Sequence, residues 1–98
     1  MATWTRRPQE REGSFLFSGK FLVTDEVLAK LSMREILTIY YDIQKLVLYT
    51  GGIDYFQVYE NESGDKLYFI DQCDPEMMGT LLFDEERNYC TLLFSHEY

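Results

Sequence analysis

The spacing of apolar positions changes twice along this chain, and each change predicts an element. Residues 1–13, which include Arg6-Arg7-Pro8-Gln9-Glu10-Arg11-Glu12 and end at Gly13, have no apolar period and predict a flexible basic arm. Residues 14–98 then form a single α+β domain. Ser14 opens two apolar bursts, SFLF and KFLV, split by Ser18-Gly19, which suit a small hairpin or an edge strand. Thr24 and Asp25 offer N-cap chemistry to a short helical piece, DEVLAKL. Ser32 and Glu35 have the capping-box spacing at the head of a main helix, which closes at Gly51-Gly52. That helix is about 17 residues and roughly 25 Å long. Ile36, Tyr40, Ile43 and Val47 make its apolar stripe, and Leu37, Ile39, Leu46 and Leu48 widen it, so burial over more than one face is expected.

After the glycines the period falls from 3.6 to 2. DYFQVY at 54–59 and KLYFID at 66–71 flank ENESGD, a polar connection containing glycine, and predict an antiparallel hairpin; Asn61-Glu62-Ser63 reads as turn chemistry. DQCDPEMMGT, with its proline and glycine, reads as a loop. The tetrapeptide TLLF then occurs twice, at 80–83 and 91–94, around an acidic link, as expected for a second hairpin turning near Glu85 to Asn88. The predicted fold is one main helix packed on an antiparallel sheet of three to five strands. Both TLLF strands carry large apolar residues on each side, Leu81 and Phe83 against Leu82, then Leu92 and Phe94 against Leu93. A strand of a one-sided sheet would alternate with polar residues. One helix covers one sheet face, so the other is left for the SFLFSGKFLV segment, a second copy or another protein.

Composition sharpens this expectation. Eight tyrosines in 98 residues exceed what a small core can satisfy with hydrogen bonds, and tyrosine suits interfaces with one apolar and one wet side. Net charge is −8, and its distribution is uneven: of nine basic and seventeen acidic residues, four and two lie in 1–20, leaving five and fifteen in 21–98. Such a surface disfavours nucleic acid phosphates and anionic membranes and steers basic protein surfaces inward. No apolar run is long enough to span a bilayer and the N-terminus lacks a secretion-signal pattern, so a cytoplasmic setting is expected.

Candidate chemistry is sparse. Cys73 and Cys90 have no CxxC spacing and His96 is the only histidine, so free thiols are expected rather than a disulfide framework or a zinc site. No phosphate-binding glycine loop or catalytic triad stands out. Asp71, Asp74 and Glu76 form D-x-x-D-x-E, but Pro75 between them and the absence of an EF-hand glycine argue against a cation loop. No cofactor is called for. The partner-binding candidates are the acidic link Asp84, Glu85 and Glu86 and the strand tyrosines Tyr55, Tyr59 and Tyr68.

The run GKFLVTDEVL at 19–28 and the ending CTLLFSHEY at 90–98 resemble a family of small uncharacterised bacterial and plasmid proteins, which share a T-x-x-V-L helix entry and a closing strand ending in Glu-Tyr. An Asn-Asp-Pro and Glu-His-Asp-Phe-Gly stretch associated with that family is replaced here by Gly51-Gly52-Ile53-Asp54-Tyr55. The resemblance implies no activity, only an origin in bacteria or their mobile elements. The expected function is a small acidic non-enzymatic protein-binding factor that meets a basic surface, for instance on a nucleic-acid-handling or defence enzyme. An inhibitor or accessory protein of a mobile element, such as an anti-CRISPR or anti-restriction factor, would act in this way. The alternative is a structural or regulatory module, homodimeric or larger, that acts through an aromatic sheet face.

Overall fold

The chain is α+β in a computed structural model that describes residues 3–72 and 88–98. Its elements are β1 (Thr5–Arg6), β2 (Lys20–Val23), α1 (Asp25–Lys30), α2 (Met33–Thr50), β3 (Phe56–Glu60), β4 (Lys66–Asp71), β5 (Tyr89–Phe94) and a C-terminal 3-10 turn, Ser95–Glu97. One five-stranded sheet runs in the order β1-β3-β4-β5-β2, with α2 across one face.

Both helix starts follow their local chemistry. The Thr24 hydroxyl accepts the Val27 N–H at the head of α1. At α2 the Ser32 hydroxyl accepts the Glu35 N–H at 3.1 Å and the Glu35 carboxylate accepts the Ser32 N–H at 2.9 Å, which satisfies two otherwise orphaned donors. The Ser32 N–H bond holds the Glu35 carboxyl below its usual range against the opposing effect of burial, with the Ser32 hydroxyl and the Trp4 indole N–H adding to it. Its stabilising effect is therefore present above the ordinary carboxylate range and lost as pH falls through the lowered native value. Gly51 closes α2 in the left-handed region at φ 82°, its N–H donating to the Val47 carbonyl.

Ile36, Ile39 and Ile43 are the buried face of α2. They pack on Tyr59, Leu67, Phe69, Cys90, Leu92 and Phe94 from the strands, with Phe17, Val27, Leu31 and Ile53 closing the cluster. The widened stripe is only partly core, because Leu37 and Leu48 are exposed, Leu48 at 85%. A single α-helix on a sheet buries one face, and these leucines lie outside it.

The hairpin β3–β4 pairs Tyr59 with Leu67 and Val58 with Tyr68. Its turn is held by the Asn61 side-chain oxygen, which accepts the Ser63 and Asp65 N–H groups at 3.0 and 2.9 Å, the local bonding that suits asparagine to turns. β5 carries the second TLLF and runs antiparallel to β4. The first TLLF and the rest of the expected second hairpin lie outside the described residues.

Two expectations are corrected. β2 pairs parallel with β5, which makes the sheet mixed rather than antiparallel. Gly19 permits the approach of β2 to β5, since a Cβ there would sit 2.3 Å from the Asn88 carbonyl oxygen. The arm predicted over 1–13 joins the fold: Thr5 and Arg6 pair with Glu60 and Tyr59 as an edge strand, and Phe15 bridges Ile53. Arg6 reaches Asp42 on α2 at 2.9 Å, and Trp4 packs on the core. A two-residue strand has no period for the sequence to display.

Candidate protein-binding face

Strand pairing brings together side chains on the sheet face opposite α2. Alternation along β3 sends Gln57 and Tyr59 toward the helix and Phe56, Val58 and Glu60 away from it. The register then builds two rows on the outer face, Phe56–Ile70–Thr91–Leu22 and Val58–Tyr68–Leu93. Among these, Leu22 is 43% exposed and Phe56, Val58, Tyr68 and Leu93 are half-buried. At the turn end of the hairpin, Glu60 opposes Lys66 and lies 3.6 Å from Arg7.

Aromatic rings concentrate on this face. Phe56 and Tyr68 lie 4.7 Å apart between centroids, and Tyr98 meets both edge-on, at 5.8 and 5.6 Å. At the end of the sheet Tyr55 links Phe56 to Phe15. Tyr98 is placed by the end of the chain folding back: the Glu97 carboxylate accepts the Phe94 N–H and the Thr24 hydroxyl, each at 2.9 Å. His96 stacks on Phe94 and pairs with Glu26, whose carboxyl this histidine contact, aided by Lys30, holds below its usual range. Tyr98 remains 75% exposed. Beside Phe56 and Val58 a groove of about 410 Å³ runs past Arg7, Gln9 and Asp54. It gives the face a concave margin next to its aromatic centre.

The structure divides the predicted site residues. Tyr68 lies in the outer aromatic group, whereas Tyr55 sits opposite inward-facing Asp71 at the end of the sheet and touches Phe15 and Phe56. Tyr59 is 2% exposed under α2, and its hydroxyl donates to the Asp42 carboxylate at 2.7 Å. Burial, then the Asp42 hydrogen bond and charge, raise its phenol well above the ordinary range. It is a core residue tying the sheet to α2, which corrects its assignment as a binding residue. Asp84, Glu85 and Glu86 lie outside the described residues, as do Asp74 and Glu76. Phe56 was missed although the alternation signal for it was present, since it has the same outward parity as Tyr68 across the hairpin. Leu22 required the non-local β2–β5 register, which no local pattern carries.

Cys90 is buried against Asp71 across the ladder, and burial, with the Asp71 charge adding to it, pushes its thiol up to about 12, far from the thiolate that nucleophilic attack needs. Asp71 is itself buried and accepts the Phe17 N–H at 2.9 Å. Among the described residues no group of three or more His, Cys, Asp or Glu side chains could hold a metal ion. No helix among them is long and apolar enough to cross a membrane. No protein-family model matches the chain, and searches of curated proteins and of solved structures likewise return no match.

Proposed function

We propose that this chain is a small acidic protein-binding factor that acts without catalysis, docking its outer sheet face on a partner with a basic surface. The observation that carries this is the aromatic group Phe56, Tyr68 and Tyr98, gathered on the sheet face away from α2 in a chain of net charge −8. Tyrosine rings with exposed edges supply contact area at low entropic cost, and the negative field speeds encounter with a positive surface. A nucleic-acid-handling or defence enzyme offers such a surface, and an inhibitor or accessory protein from a bacterial mobile element is the role that fits. The same charge disfavours direct contact with nucleic acid or an anionic membrane.

The test is site-specific photo-crosslinking in the native host, with a photoreactive phenylalanine analogue in place of Tyr98 on the outer face or of Tyr49, 92% exposed on α2. Position 98 should yield a discrete adduct with a basic protein and position 49 none. Adducts from 49 alone would reject the outer face as the docking surface.

A further inference from the structure

The edge of the sheet at β2 has unused backbone hydrogen-bonding capacity. Lys20 N–H donates to the Asn88 carbonyl at 3.0 Å and Thr24 N–H to the Leu92 carbonyl at 3.2 Å, so the ladder to β5 uses alternate residues of β2. Phe21 and Val23 therefore turn their N–H and C=O groups away from β5, toward the outside of the sheet. β2 is the last strand in the sheet order, so among the described residues no strand lies beyond it. Such an edge is a template for another strand.

Its charges select the strand it fits. The edge reads KFLVTD, basic at its start and acidic at its end. Lys20 makes no ion pair among the described residues. At the other end, the Thr24 hydroxyl donates to the Glu97 carboxylate and Asp25 follows. A parallel copy of this edge would set like charges side by side. An antiparallel copy sets Lys20 against the Thr24–Glu97 end of its partner, twice over by symmetry. The apolar residues agree as well: with a two-fold axis at Leu22, Phe21 lies opposite Val23 of the second copy, which is the pairing in which the outward-turned groups meet each other. Phe21 stacks on Tyr40 at 4.6 Å, and Tyr40 contacts exposed Tyr41, so an apolar shoulder of α2 accompanies the edge on the helix side.

We propose that β2 is a self-association edge: two copies pair antiparallel about Leu22 and join their five-stranded sheets into one continuous sheet. The aromatic faces of the two copies then lie on the same side of that sheet. The pairing does not depend on the binding role proposed for the aromatic face, and Tyr68→Ala should leave it unchanged.

Sedimentation velocity of the full chain, from sub-micromolar to several hundred micromolar, should show a reversible monomer–dimer equilibrium. Val23→Pro deletes an outward N–H at a position where an edge strand tolerates proline, and should weaken dimerisation by roughly tenfold or more while the circular dichroism spectrum stays native. Leu22→Cys, made with Cys73→Ser, should give a covalent dimer on mild oxidation, because only at the axis does a residue face its own copy. Lys20→Cys in the same background should not. A monomer at every concentration, a dimer that Leu22→Cys fails to trap, or a folded Val23→Pro that dimerises like the unmodified chain would each overturn the proposal.

Discussion

Tyr59→Ala should lower the unfolding free energy by about 3–5 kcal/mol, the range for removing a fully buried aromatic side chain. The ring is 2% exposed and lies in the core cluster, so its loss leaves a cavity between β3 and α2. Tyr59→Phe keeps the packing and removes only the 2.7 Å bond to Asp42. It should cost about 1.5 kcal/mol, at the low end for a bond to a charged group, because Asp42 keeps Arg6 and stays 43% exposed. Denaturant midpoints with an unchanged slope measure both. Against a total of roughly 5–15 kcal/mol for a domain, the alanine variant loses much of its stability. An alanine variant as stable as the unmodified chain would place Tyr59 at the surface instead.

The second large effect is expected at Asp71. Phe17 is fully buried yet has φ 49°, a left-handed conformation that is uncommon for a residue with a side chain. Two side chains hold it there: the Asp71 carboxylate accepts its N–H at 2.9 Å, and the Gln44 amide donates to its carbonyl at 2.7 Å. Asp71→Ala leaves a buried N–H without its charged acceptor and should cost about 2–3 kcal/mol. Gln44→Ala, at a partly buried bond, should cost about 1 kcal/mol. Because both restrain one residue, the double variant should depart from the sum of the singles. Strict additivity would mean that the two bonds do not act on a shared strained turn.

What the sequence disclosed follows the range of the forces involved. The α2 start at Ser32 and Glu35, its stop at Gly51 and the Asn61 turn are set by residues within a few positions of each other, and all are present where local chemistry puts them. The strands β3, β4 and β5 likewise follow from runs of β-forming residues. The parallel placement of β2 joins Lys20 to Tyr89, far apart in the chain, and the Arg6–Asp42 contact recruits a segment with no period of its own. Neither leaves a local trace. The site was half legible for the same reason: tyrosine abundance announced an aromatic surface, but only the register of β3 against β4 separates Tyr68, facing out, from Tyr59, facing in. The strained Phe17 was hidden altogether, since its stabilising partners come from β4 and α2.

Docking of the outer aromatic face on a protein with a basic surface can be read from the association rate with the crosslinked partner, measured against salt. For the unmodified chain the rate should fall steeply as ionic strength rises, as steered encounters do. Tyr68→Ala, folded by circular dichroism, should raise the dissociation constant by roughly tenfold or more, as expected when an aromatic anchor is truncated. Changing Asp84, Glu85 and Glu86 together to lysine should slow association while dissociation stays nearly constant. A folded Tyr68→Ala that binds as tightly as the unmodified chain, with a rate indifferent to salt, would mean that the partner docks elsewhere.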